Sequence, residues 1–329
     1  MNSNWKNFLL SNNASIDNDA AIIFPEHQGD RRIYALAHLG VLTLAGRDTA
    51  TFLQGQITCN INDISDTKSS LGAICNPKGR AISTFLLVKD GADFLMILPQ
   101  ELVAAVQKRL QMYVLRADVR LTDSSDELCL LGLREGQPQL DEAQKSTFAT
   151  TRQAAIAVEL ANRHLFIATP EQAQTLWTEQ LALGFLPEDS AQWRCFDIIA
   201  GIPWLTAATS EEFIPQMLNL DKLGGISFNK GCYTGQEIVA RTHYLGKAKR
   251  EMFAAECPAI SEPPKPNASI IDDSGDTEQS AGKVLCAQTR QNTCYLLIIL
   301  QISETHRYNL RLKDRSDKIT LLTASTLTL

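Results

Sequence analysis

Residues 230–237, Lys-Gly-Cys-Tyr-Thr-Gly-Gln-Glu, bring an amine, a thiol and a carboxylate together in a glycine-rich stretch. Thr234 and Glu237 have the spacing of a capping box, in which the threonine accepts from the amide three residues on and the glutamate reaches back. The spacing predicts a helix that begins at Gly235, turns Ile238, Val239 and Thr242 inward and stops near Gly246. Cys232 then falls just outside the helix N-terminus. Unpaired amides there favour a thiolate, and Lys230 adds a full positive charge. The chemistry on offer is that of an activated thiol, with Cys232 and Lys230 as the candidate catalytic pair. A plainer reading stands beside it: a cysteine is commonly a small buried hydrophobe. No histidine lies at a spacing that would make a Cys-His nucleophile.

The longer run Leu223-Gly-Gly-Ile-Ser-Phe-Asn-Lys-Gly-Cys-Tyr-Thr-Gly-Gln-Glu-Ile-Val-Ala-Arg241 resembles the signature of the YgfZ family, folate-binding, tRNA-modifying proteins related to the aminomethyltransferase of glycine cleavage. Phe213-Ile-Pro-Gln-Met-Leu-Asn-Leu220 and Phe52-Leu-Gln-Gly-Gln-Ile-Thr58 are similar to that family as well, so the resemblance spans most of the chain. Aminomethyltransferases proper carry a lysine and a Phe-Ile-Gly run at this place without the cysteine, which favours the YgfZ branch.

The resemblance implies a ligand, tetrahydrofolate or a one-carbon-substituted folate, in a cavity between domains. Trp193 stands where the family carries a folate-contacting tryptophan, and Leu39 occupies the place of a second one. Gln54, Gln56, Asn219, Tyr233, Gln236, Glu237 and Arg241 are the candidate polar partners of the folate. Their other reading is as backbone caps and bridges, the commoner fate of buried amides and carboxylates, and that of Trp193 is as core. The catalytic aspartate of aminomethyltransferases has no matching motif here, so whether a chemical step is catalysed stays open. Three functions follow from the resemblance: a folate-dependent accessory factor for iron-sulfur enzymes, including those that modify tRNA, with Cys232 as its thiol; a folate-dependent aminomethyl or one-carbon transferase; or a non-catalytic folate- or tRNA-binding regulator.

Composition narrows the classes. The 329 residues exceed one ordinary core and suggest two or three domains. A net charge of -6 excludes broad, sequence-independent nucleic-acid binding, which rests on many phosphate contacts. Arg241, His243, Lys247, Lys249 and Arg250 make one basic stretch, able to meet a folate glutamate tail or a phosphate, or else to complement a helix end. The eight cysteines are scattered, without C-x-x-C spacing, which argues against a zinc or iron-sulfur site held by this chain alone. With no signal-like or membrane-spanning run, a cytoplasmic monomer is expected, its partners folate, iron-sulfur enzymes or their assembly machinery, and tRNA at most indirectly.

The elements that must position these residues read as an α+β fold. Strands are expected within residues 32–44, at 71–76, 80–88 and 94–98, with a turn at Asn76-Pro77-Lys78-Gly79 and a hairpin at Asp90-Gly91. Asp48 reads as the cap of a short helix to Gln54. A helix at 100–111 precedes a strand at 113–121. Helices follow from Pro170 and Ser190, stopped by Gly184 and Gly201. Beyond Arg250, prolines and short alternating runs, among them Tyr308–Lys313, predict a small β-barrel. The expected architecture is aminomethyltransferase-like: antiparallel sheet-and-helix domains at 1–125 and 126–250, the second carrying the signature, and a C-terminal barrel at 251–329.

Overall fold

The computed structural model describes residues 1–16, 22–136, 148–160, 162–246, 248–258, 262–273, 279–302 and 309–322. Helix α1 (Ser3–Ser11) opens the chain, with the Asn2 side chain accepting from the amides of Asn4 and Trp5. Short strands β1 (Ser15–Ile16) and β2 (Ile22–Ile23) pair with each other. They are followed by β3 (Arg31–Ala35), β4 (Leu39–Ala45) and α2 (Thr49–Gln54). Next come β5 (Ser70–Cys75), β6 (Ala81–Asp90), β7 (Asp93–Pro99), α3 (Gln100–Val114) and β8 (Arg120–Asp123).

The first sheet is antiparallel, in the order β5-β6-β7-β4-β8. Gly79 (φ 69°) and Gly91 (φ 59°) turn its two hairpins in the left-handed region that the sequence pattern required of them. Asp48 is the N-cap residue of α2 and Gly55 closes it, as expected, but the Asp48 carboxylate makes no capping bond and accepts from the Asp118 amide at 2.8 Å. The strand expected at 113–121 is mostly absent, because Leu102, Val106, Leu110 and Val114 continue one buried helical stripe and carry α3 on to Val114.

The second sheet uses β9 (Cys129–Glu135), β10 (Thr150–Arg152), β11 (Ile156–Glu159) and β12 (Arg163–Ala168), then α4 (Pro170–Ala182), β13 (Leu186–Glu188) and α5 (Ser190–Ala200). Its order is β10-β11-β12-β9-β3-β13. β3 therefore lies before residue 125 in the chain yet pairs with β9 and β13. Trp5, Leu9, Ile33, Leu131 and Trp177 form the core under α1 and α4 on one face. Tyr34, Leu130, Leu165 and Trp193 belong to the main core on the other.

Helix α5 is buried almost all round, packed between β3 and the C-terminal strands. Such a helix belongs to an interior. Gly201 at φ 79° ends it, and the chain returns to the first sheet, where Ala81 exchanges backbone hydrogen bonds with Glu211 and Phe213. After α6 (Gln236–Tyr244) the chain builds β14 (Arg250–Pro258), β15 (Ser269–Asp272), β16 (Gln279–Arg290), β17 (Thr293–Gln301), β18 (Leu310–Leu312) and β19 (Lys318–Leu321). These close into the expected barrel, which leaves no free sheet edge, around Ile270, Val284, Leu296, Ile298 and Leu300. Tyr308 of the strand expected there lies outside the described residues. Among the described residues no helix is long and apolar enough to cross a membrane.

Candidate functional site

The signature folds differently from its spacing. Helix α6 starts at Gln236, not Gly235, and no side chain caps it; Thr234 and Glu237 form no capping box. Gly235 takes φ 83°, which turns the chain sharply before the helix, and Gln236 Oε1 instead accepts from the Tyr233 amide at 3.3 Å. A capping box does form elsewhere, between Thr169 and Gln172 at the start of α4.

Gly235 is needed for contact as well as for its φ. A Cβ there would stand 2.5 Å from the Asn76 carbonyl oxygen, and one on Gly79 2.8 Å from Ile238 Cβ, so the helix start is seated backbone to backbone on the β5–β6 turn. Val239 is buried, Ile238 and Thr242 are partly so, and the helix ends at Tyr244, two residues before Gly246.

Lys230 Nζ donates to the Ile57 and Cys59 carbonyls at 2.7 and 2.9 Å and lies 5.0 Å from the centre of the Tyr233 ring. Burial pushes its ammonium down to about 8, with Cys59 acting in the opposite direction. Its donors are thus committed to tying the signature loop to the segment after α2. Cys232 is the exposed cysteine among eight free ones. Tyr233 is buried, and burial raises its hydroxyl above the ordinary tyrosine range.

The remaining candidates disperse. Gln54 bridges the Ile61 amide and the Asn60 side chain. Asn219, left-handed at φ 56°, donates to the Met252 carbonyl. Gln56 is half-buried, while Glu237 and Arg241 are exposed on α6. Lys249 and Arg250 are exposed too, and Lys247 of the basic stretch lies outside the described residues.

Trp193 is fully buried, its ring 5.5 Å from Tyr34 and so close to β9 that a Cβ on Gly132 would fall 2.4 Å from it. It faces the second sheet as core. The next residue, Arg194, faces the opposite way, together with Asp197 and Ile198, into a cavity of about 640 Å³ where both sheets and the barrel meet.

Leu39 lines that cavity, as do His38, Trp204, Pro264 and Pro266. Neither ring nitrogen of His38 has a hydrogen-bond partner, although both are shut away from solvent. Burial, helped by the nearby Arg194 charge, pushes His38 down to about 3, so its imidazole is neutral near pH 7 and offers one donor and one acceptor. Asp197 is a different case. Its two oxygens accept from Arg163 at 2.7 Å and Trp204 Nε1 at 2.9 Å, and Arg163 also lies over the Trp193 ring. Burial raises its carboxyl, against the pull of Arg163.

His38, Arg194, Asp197 and Trp204 were not picked out by sequence reasoning. The signal available was the three-residue step from Arg194 to Asp197, which shares one helix face, and a tryptophan just past the Gly201 stop. Among the described residues no His, Cys, Asp and Glu group is placed to hold a metal ion.

No protein-family model matches the chain. It is 32% identical over 276 residues to the tRNA-modifying protein YgfZ of Colwellia psychrerythraea, covering 80% of this chain and 84% of that one. It is likewise 32% identical over 297 residues to the tRNA-modifying protein YgfZ of Pectobacterium carotovorum, covering 87% and 88%. Among solved structures, the glycine cleavage system aminomethyltransferase T of Bartonella henselae superposes with a TM-score of 0.72 over 98% of this chain and 97% of that one, at 11% identity. The fold is aminomethyltransferase-like with a C-terminal β-barrel. With nearly a third of its residues shared over most of both chains, the chain belongs to the YgfZ family.

Proposed function

We propose that this chain is a folate-binding accessory factor in tRNA modification and that its folate occupies the cavity beside α5. The observation that carries this reading is the cavity itself, large enough for a folate, with apolar walls, one arginine and the neutral imidazole of His38 on its lining. A reduced folate presents a flat pterin with a hydrogen-bonding edge, an aromatic ring and an anionic glutamate tail. The Trp204, Leu39 and proline walls suit the rings, Arg194 suits the tail, and a turn of the His38 ring toward the cavity would bring a nitrogen to the edge. When bound, tetrahydrofolate supplies nitrogens able to carry a one-carbon unit. Asp197 is already held by two donors, which supports a binding role for this wall over proton transfer. The tRNA role rests on the relatives.

In the same reading, the partners are iron-sulfur enzymes that modify tRNA, and Cys232, the exposed thiol, is the group presented to them. Titration with 5-formyltetrahydrofolate, followed by tryptophan fluorescence, tests the ligand. His38→Leu should weaken binding about 5-fold or more, as expected for a lost buried hydrogen bond, and Trp204→Phe should reduce the quench. Full-strength binding by both variants would move the folate elsewhere. The thiol is tested in a deletion strain by measuring thiolated tRNA nucleosides: wild type should restore them and Cys232→Ser should not. Equal restoration removes Cys232 from the mechanism.

A further inference from the structure

The N-terminal half of the signature, Leu223–Asn229, lines a second cavity of about 910 Å³, walled on its other sides by residues 67–70 and by Asn60, Asp63 and Phe148. At this cavity stand three rings. Phe228 and His243 are stacked face to face, centroids 3.7 Å apart and planes within 12°. Tyr244 meets His243 edge-on at 4.8 Å and Phe228 at 6.2 Å. This is not core packing: His243 is exposed, Tyr244 is 62% exposed and the adjoining Leu245 is 82% exposed. Water is in contact with an aromatic stack that a flat ligand would cover at a gain.

We propose that this cleft receives an unpaired nucleotide of an RNA chain, its base stacked on the exposed Tyr244 ring beside the Phe228–His243 pair. The inference rests on the tRNA reading above, and it adds direct contact through a site separate from the folate cavity. Each part of a nucleotide finds a counterpart. A base has a flat face for the rings. Its exocyclic amine finds an acceptor in the Asp63 carboxylate, which Asn60 Nδ2 holds at 3.2 Å. Lys68 and Lys222 supply cations for the flanking phosphates, Lys222 being held in place by Glu251. An acidic protein tail would use the lysines but would gain nothing from the stack and would be repelled by Asp63. The net charge of -6 agrees with a contact of this kind, in which stacking and a few phosphates act and a broad basic surface does not.

The test uses the full chain and two fluorescein-labelled RNAs, a stem-loop with an unpaired loop and a duplex of the same stem. Wild type should bind the stem-loop in preference to the duplex, with a salt slope near -1.4, as expected for about two phosphate contacts to a single strand. His243→Ala/Tyr244→Ala should weaken the stem-loop about 10-fold or more and leave 5-formyltetrahydrofolate binding unchanged, whereas His38→Leu should do the reverse. Retained folate binding shows that the double variant is folded. Equal binding of stem-loop and duplex, an undiminished affinity in the double variant, or displacement of the RNA by a polyglutamate peptide would overturn the proposal. If wild type binds no RNA while its deletion still lowers modified tRNA nucleosides, the tRNA reading stands and this site falls.

Discussion

Replacing Arg163 with methionine removes the main partner of a carboxylate that water does not reach. Arg163 and Asp197 are 2% and 3% exposed at their side chains and joined at 2.7 Å, with Asp197 on the lining of the cavity beside α5. Breaking such a pair from one side costs about 3–5 kcal/mol, because the other charge is left uncompensated. The pH dependence gives a second measure. Without Arg163 the folded state protonates Asp197, while the unfolded chain titrates near an ordinary aspartate. Taking up that proton costs more the further the pH lies above the ordinary aspartate value. The sign follows from a folded pKa above the unfolded one: stability is retained at acid pH and lost as pH rises. Burial already raises the Asp197 carboxyl in wild type and loss of Arg163 raises it further, so the deficit of the variant relative to wild type should shrink from pH 7 to pH 5. Urea unfolding followed by tryptophan fluorescence and far-ultraviolet circular dichroism at both pH values measures it. Adding Asp197→Leu to Arg163→Met should recover most of the loss, since no charge is then stranded. A deficit equal at the two pH values, or a double variant no better than the single one, would refute the reasoning by showing that Asp197 is solvated.

Two further outcomes test the site from other directions. Thr234→Ala should change unfolding stability by less than about 0.5 kcal/mol, where a capping threonine would cost about 1, whereas Gly235→Ala should cost at least about 1–2 kcal/mol through its left-handed φ alone and more through the clash with Asn76. His38 titrates near 3 when folded against about 6.5 when unfolded, so folded wild type binds fewer protons between those values and loses stability as pH falls from 6.5, by about 2 kcal/mol at pH 5. His38→Leu should flatten that slope, and an unchanged slope would show His38 to be solvated.

Much of this protein follows from local chemistry. Gly79 and Gly91 turn hairpins, and Gly184 and Gly201 end helices, because glycine adopts positive φ at no steric cost. Alternating apolar runs marked most strands of the two sheets and part of the barrel, though not Leu186–Glu188, Arg250–Pro258 or Ser269–Asp272, and the length of the Leu223–Arg241 run was enough to indicate the family. What the sequence did not show is which of its competing partners each side chain takes. Asp48 has a capping residue's identity and position but meets the Asp118 amide, which is 70 residues away in the chain. Thr234 has the spacing of a cap, but the seat of Gly235 on Asn76 turns the backbone away. Lys230 is four positions before Thr234 on the same motif, and its donors go to carbonyls at Ile57 and Cys59 because the loop docks there. Trp193 and Arg194 are neighbours in sequence, yet one is sealed against Gly132 and the other faces the cavity, a division set by which side of α5 each neighbouring layer covers. Sequence fixes what each residue is able to bond. Which bond it makes depends on the groups that two sheets and a barrel bring within about 3 Å of it, since hydrogen bonds are short and directional.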